Sequence, residues 1–285
     1  MKQFNKIAII GVGLIGGSIG LAIKKRRIAR QVIGVFRRKT TMRKALARKA
    51  VDRAFLDIRA GVRDADLIVI ATQVSSIPRI ACDVIHCAKS GAIITDAGST
   101  KVEIVRAVER CLTTRPDVYF VGAHPMAGSE KTSVEASCAD LCERAACLVT
   151  KTAKTEKKAL AKVVSFWKSL GCKVTITTPS LHDRSVALVS HLPHFAAFGL
   201  AGTVPAQELR FAAEGFRDTT RIASSDAELW ADIFFSNSKE VLSAVRAFES
   251  YCRKMAGALS RGDRKEFIKL LKAAKAKRDR LTHEK

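Results

Sequence analysis

The 285-residue sequence predicts an α/β chain in two parts: a parallel sheet covered by helices over residues 1–178, then an all-helical segment over 179–285. Three observations carry this expectation. Short apolar runs alternate with amphipathic helical patterns throughout the first part. A glycine-rich turn, Gly11-Val12-Gly13-Leu14-Ile15-Gly16, falls between the first apolar run and the first helix. After Pro179 strand-like runs cease, and apolar residues recur at helical spacing.

In order, residues 6–10 read as a buried strand, and a helix starts near Leu14. Further strands are expected at 32–35, 66–71, 92–95, 119–121, 146–149 and 173–176. A helix over 101–110 follows the capping residue types Asp96, Ser99 and Thr100. Residues 185–202 are apolar nearly all round, as in a helix buried among others. Pro193 should kink that helix and free the carbonyl of Val189. Trp230, Ile233, Phe234, Val241, Val245, Phe248, Cys252 and Met255 form one helical stripe. Asn237 interrupts it and reads as an interhelical hydrogen-bond partner. A last helix turns Phe267, Leu270, Leu271 and Ala274 inward and Lys269, Lys272 and Lys275 to water. Such long apolar stripes predict a homodimer through the helical part.

Composition bounds the function. Eight cysteines show no CxxC pair, so reduced thiols in a cytoplasmic protein are expected. Cys138, Cys142 and Cys147 lack a zinc-ligand spacing. Residues 7–23 carry no charge, but they hold the glycine turn, so they are read neither as a membrane span nor as a signal peptide. The net charge is +23, with basic residues crowded in 24–49 and 261–280. Nucleic-acid binding is one reading; a solvated basic surface aided by anionic ligands is the other. Few aromatics interleave with these charges and no nucleic-acid motif occurs, so neither nucleic acid nor membrane is the expected partner.

The turn carries the first functional expectation. Gly11 permits the bend, Gly13 lets a pyrophosphate approach the backbone, and Gly16 lets the helix pack closely on the strand. The helix N-terminus then offers free N–H groups to phosphate. This is a Rossmann-type dinucleotide site. Where an acidic residue would take the ribose hydroxyl of NAD, the sequence has Phe36 followed by Arg37 and Arg38. Two guanidiniums suit a 2′-phosphate, which favours NADP over NAD.

The histidines carry the second expectation. Four of the six lie in His124-Pro125-Met126-Ala127-Gly128-Ser129-Glu130, in His182-Asp183, and in Ser190-His191-Leu192-Pro193-His194. His191 and His194 share a helix face. Core packing is the plain alternative for these two, and a metal site from His182, Asp183 and His191 is another.

Those segments, with Gly11 to Ser18, Asp96-Ala97-Gly98-Ser99-Thr100-Lys101 and Gly215-Phe216-Arg217-Asp218-Thr219-Thr220-Arg221, resemble the prephenate/arogenate dehydrogenase family of tyrosine biosynthesis over almost the whole chain. Gln73 after Thr72 departs from the family's usual proline, and Phe36 from its frequent acid. The resemblance implies oxidation of a cyclohexadienol: hydride passes from C4 to a nicotinamide, a base removes the hydroxyl proton, and loss of the ring carboxylate as carbon dioxide makes the ring aromatic. It implies His124 as base and Ser99 beside the substrate hydroxyl. His194, His191, Arg221, Ser129 and Glu130 would contact the small anionic substrate, with Arg221 clamping its ring carboxylate. Gly11, Gly13, Leu14, Ile15, Gly16, Arg37, Arg38 and Thr72 would hold the cofactor, and the site would lie between the two domains. Two alternatives remain at this stage. One is a different two-domain dehydrogenase for a 3-hydroxyacid or imine, which commonly relies on a helical-domain lysine. The other is a non-catalytic nucleic-acid-binding or redox-sensing protein.

Overall fold

The computed structural model describes residues 3–128 and 133–281. By spatial compactness the chain divides into Met1–Ser238 and Lys239–Lys285. The break falls later than the change of secondary structure at Pro179. The reason is that helices after Pro179 are bonded into the first unit: Val102 N donates to Asp183 at 2.8 Å, and Ser75 Oγ donates to Asp232 at 2.7 Å.

The first unit begins with β1 (Phe4–Ile10), α1 (Leu14–Lys25), β2 (Ala29–Val35), α2 (Lys39–Ala47), β3 (Arg53–Phe55) and α3 (Ile58–Val62). It continues with β4 (Leu67–Ile70), α4 (Ile77–Cys87), β5 (Ile93–Asp96), α5 (Val102–Cys111) and β6 (Tyr119–Val121). These six strands form a parallel sheet in the order β3-β2-β1-β4-β5-β6. The order reverses between β1 and β4, so a crevice opens there at the carboxyl ends of the strands. Alternate residues serve opposite faces: Ile7, Ile9, Leu67 and Val69 join one apolar cluster, while Ala8, Ile10, Ile68 and Ile70 join the other. Burial on both faces is why these strands are uninterrupted aliphatic runs.

A second, three-stranded sheet follows, from β7 (Ala123–Pro125), β8 (Ala146–Thr150) and β9 (Lys173–Thr177), with α6 (Lys157–Ser169) between the last two. The strand β7 runs antiparallel to β8, pairing His124 with Leu148. Then come α7 (Pro179–Val186), a π-helical turn Ala187–His191, α8 (Leu192–Thr203), α9 (Glu214–Thr220) and α10 (Ala227–Ser236). A π turn, the kind of irregularity at which helices bend, lies just ahead of Pro193. In the second unit lie most of α11 (Ser238–Ser260) and all of α12 (Arg264–Arg280), where Tyr251 Oη donates to the carbonyl of Leu270 at 2.7 Å.

Some expectations change. The apolar helix around 185–202 is not enclosed by its own chain: Leu188 is 51% exposed and Val189 69%. The run Pro179–Thr203 is long and apolar enough to cross a membrane by length and composition alone, yet it holds Asp183, Arg184 and three histidines. The stripe from Trp230 to Met255 is split between α10 and α11 at Asn237. On α12, Phe267 and Leu270 are half-buried, but Leu271 and Ala274 are exposed. Cys82 and Cys111 are paired rather than reduced. They face each other from neighbouring helices α4 and α5, with Cα atoms 5.6 Å apart, within disulfide reach.

Candidate active site

At the end of β1 the glycine turn has the geometry that a diphosphate requires. Gly11 has φ +86°, and a Cβ there would lie 2.6 Å from the carbonyl oxygen of Ala71 and 2.7 Å from Cγ2 of Thr72. A Cβ on Gly16 would meet the Gly11 carbonyl oxygen at 2.2 Å. Side chains at either position would fill the cradle. Gly13 caps α1 with no side chain, and the first turn of that helix, beginning Leu14-Ile15, holds no acidic residue. Its N–H groups and positive dipole end are therefore open to an anion. Thr72 stands at the end of β4, its hydroxyl receiving a bond from Ser76 Oγ at 2.9 Å. Arg37 and Arg38 are both exposed at the end of β2, beside buried Phe36. The residues present fit a dinucleotide.

Beside this turn, the loop after β5 is fixed by buried charge. Asp96 and Lys101 are fully buried and ion-paired with each other. The carboxylate also accepts from Gly98 N at 2.9 Å and from Ala123 N at 3.1 Å. It thereby ties Gly98, adjacent to Ser99, to Ala123, adjacent to His124. Ser99 and His124 are held around one carboxylate. The local cap that Ser99 or Thr100 could have given α5 is absent; instead Asp183, from α7, receives Lys101 N at 2.7 Å and Val102 N at 2.8 Å. Ser99 is left without a capping task, and it is half-buried.

His124 lies on a strand rather than in a loop, and it is 8% exposed. Its Nδ1 is 2.9 Å from Nε2 of His182, whose Nδ1 is 2.7 Å from Asp183 Oδ1. Burial, reinforced by His182 and Lys101, holds the His124 imidazole well below its usual range. Near neutral pH it is uncharged and has a lone pair to offer.

The other two histidines flank this pair. His191 is 1% exposed and lowered to about 4, chiefly by burial. Asn237 Nδ2 donates to the carbonyl of Asp183 at 2.8 Å and lies 3.3 Å from His191 Nδ1, the interhelical role expected of it. The His191 Nδ1 is thus an acceptor, and the hydrogen sits on Nε2. That nitrogen is buried with no hydrogen-bond partner among the described residues, so it is a donor available to a bound molecule. His194 donates from Nδ1 to the carbonyl of Ser190 at 3.0 Å and stacks on Trp230 with ring centroids 3.5 Å apart. Burial lowers it as well.

Arg221 stands exposed on the short 3-10 turn Arg221–Ser224 and makes no ion pair among the described residues, with Asp218 or otherwise. Ser129 and Glu130 lie outside the described residues. Sequence reasoning passed over Asp96, Lys101 and Trp230 as functional groups. A charged pair five residues apart across a strand end was the available signal for the first two.

A dinucleotide cradle at the carboxyl end of β1 and a buried imidazole cluster drawn from β7, α7 and the π turn define a nicotinamide-dependent oxidoreductase that moves a proton as well as a hydride. Comparison with known proteins narrows the class. The family model for the prephenate dehydrogenase nucleotide-binding domain matches residues 19–176, and that for the prephenate dehydrogenase dimerization domain matches 178–273. The prephenate dehydrogenase of Bacillus subtilis is 34% identical over 284 residues, covering 97% of this chain and 76% of the relative. The cyclohexadienyl dehydrogenase of Zymomonas mobilis is 32% identical over 271 residues, covering 92% and 91%. The crystal structure of Aquifex aeolicus prephenate dehydrogenase with hydroxyphenyl propionate and NAD+ superposes with a TM-score of 0.90 at 31% identity, covering 97% of this chain and 98% of that one. The chain belongs to the prephenate/arogenate dehydrogenase family. Its activity is oxidative decarboxylation of a cyclohexadienyl substrate of that type, with a nicotinamide as hydride acceptor.

Proposed function

We propose that this chain oxidatively decarboxylates prephenate, arogenate or both, with His124 as the base and NADP as the preferred cofactor. The observation that carries the reading is the buried, uncharged His124, tied through Asp96 to the Ser99 loop at the same edge of the sheet as the glycine turn. Bound there, the nicotinamide ring accepts the hydride. Gly11, Gly13, Leu14, Ile15, Gly16 and Thr72 hold the dinucleotide. His124 removes the hydroxyl proton and Ser99 orients that hydroxyl. His191 donates from Nε2 to a substrate oxygen, while His194, held on Trp230, forms part of the wall. Ser129 and Glu130 contact the substrate side chain.

NADP preference rests on Arg37 and Arg38, exposed where a carboxylate would otherwise meet the ribose. The test measures reduced-nicotinamide formation with prephenate and arogenate, each with NAD and NADP. In the Arg37→Ala/Arg38→Ala variant, KM for NADP should rise while KM for NAD stays near its starting value. Equal loss for both cofactors would make the two arginines a nonspecific basic surface.

Arg221 clamps the ring carboxylate once substrate is present. A paired guanidinium–carboxylate contact shielded from water contributes about 2–5 kcal/mol, so Arg221→Gln should raise substrate KM by about thirtyfold or more. Cofactor affinity should hold. An equal rise in both constants would contradict the clamp.

The chain acts as a homodimer. Leu188, Val189 and Phe195 leave an apolar helix face uncovered, and the matched domain is a dimerization domain. A second copy rather than lipid covers that face, because the same helical run carries Asp183 and the histidine cluster.

A further inference from the structure

We propose that His182 is the second proton holder of the reaction: it receives, through His124, the charge of the substrate's hydroxyl proton and keeps it beside Asp183 until the product oxygen takes it back. The proposal rests on His124 being the base.

Hydrogen bonding gives the chain of groups one direction. The Asp183 carboxylate faces three N–H groups: Lys101 N at 2.7 Å, Val102 N at 2.8 Å and His182 Nδ1 at 2.7 Å. It accepts at each, so His182 Nδ1 bears a hydrogen and Nε2 bears the lone pair. That lone pair is 2.9 Å from His124 Nδ1, which must therefore be the N–H. The only lone pair left on His124 is at Nε2, and this is the atom that meets the substrate. A carboxylate in place of His182 would merely orient the base. An imidazole can also take its proton.

The surroundings decide where the charge rests. Facing His182 are Asp183 from its own helix, Asp96 and Lys101 from the end of β5 and the loop after it, His124 from β7 and His191 from the π turn. Lys101 opposes a positive charge, but it is ion-paired with Asp96. The hydrogen bond to Asp183 remains to favour it. Burial pushes both imidazoles down, yet Asp183 acts upward on His182, and among the described residues no comparable group acts upward on His124.

The step balances. The substrate O–H breaks and an N–H forms at His124 Nε2. The His124 Nδ1–H breaks and one forms at His182 Nε2, giving an imidazolium against the Asp183 carboxylate. The C4–H electron pair leaves as hydride to the nicotinamide, and a carbonyl remains. Loss of the ring carboxylate as carbon dioxide sends its electron pair through the ring to that oxygen. The oxygen then takes a proton from His124 Nε2 as the transfers reverse. Both histidines end the turnover neutral, and no outside acid or base is consumed.

His182→Gln tests this. The glutamine amide can donate to Asp183 and its carbonyl can accept from His124 Nδ1–H, but it cannot take a proton. We expect kcat to fall about 10²-fold, the low end for one acid–base group, with KM and cofactor binding unchanged. The dependence of kcat on the D2O fraction should be curved in the wild type, with two protons in flight, and linear in the variant. Unchanged kcat, or curvature that persists, would overturn the relay while leaving His124 as base. Loss of the base reading itself would show separately, as turnover surviving in His124→Asn. Should His182→Gln fail to fold, 15N spectra of the wild-type histidines still decide: hydrogens on Nδ1 of both His124 and His182 support the relay, and the opposite tautomers overturn it.

Discussion

His124→Asn is expected to abolish turnover while the dinucleotide still binds. The side chain is buried, and its Nδ1 bonds to His182. Asparagine keeps a donor near that nitrogen but has no basic lone pair at the Nε2 position. A positioned base contributes about 10²–10⁴-fold to rate, so kcat should fall by about that factor. The glycine cradle belongs to β1 and α1, not to β7, so cofactor affinity should not change. Steady-state kinetics with direct nucleotide titration separates the two effects. Turnover near the wild-type rate would remove His124 from the chemistry.

The parts of the molecule that could be read from sequence are those whose cause is local. Gly11 and Gly16 announce themselves because no side chain fits where a strand, a turn and a helix converge. The parallel sheet is legible because strands covered on both faces must be aliphatic throughout. Two three-residue strands, β3 and β7, were not legible. The strand β7 exists through its pairing with β8, more than twenty residues on, and His124-Pro125 has no strand pattern of its own.

Tertiary contact also overrode local chemistry at α5. Ser99 and Thr100 are good capping types, yet the cap comes from Asp183, 82 residues after Lys101. The same docking turns His182, a conceivable metal ligand in sequence, into a hydrogen-bonded neighbour of His124, with both ring nitrogens engaged. Residue type flagged this histidine; only the packing of α7 on α5 gives it a partner. In the opposite sense, the apolar run near Val189 reads as a buried helix in sequence, yet its own chain leaves Leu188 and Val189 uncovered.

The largest effect on stability is expected at Lys101. Its side chain and that of Asp96 have no exposed surface and are ion-paired beneath the site. Lys101→Met would leave a carboxylate buried with Gly98 N and Ala123 N as its remaining donors among the described residues. Breaking a buried pair from one side typically costs about 3–5 kcal/mol, because the surviving charge is uncompensated. Urea unfolding should show that loss as a lowered midpoint. Adding Asp96→Asn removes the stranded charge, so the double variant should be more stable than Lys101→Met alone, although one backbone N–H then faces an amide donor. The variant's kcat should fall too, because the same carboxylate ties the Ser99 loop to His124. A Lys101→Met protein as stable and active as the wild type would mean that packing alone, without this pair, holds the site in shape.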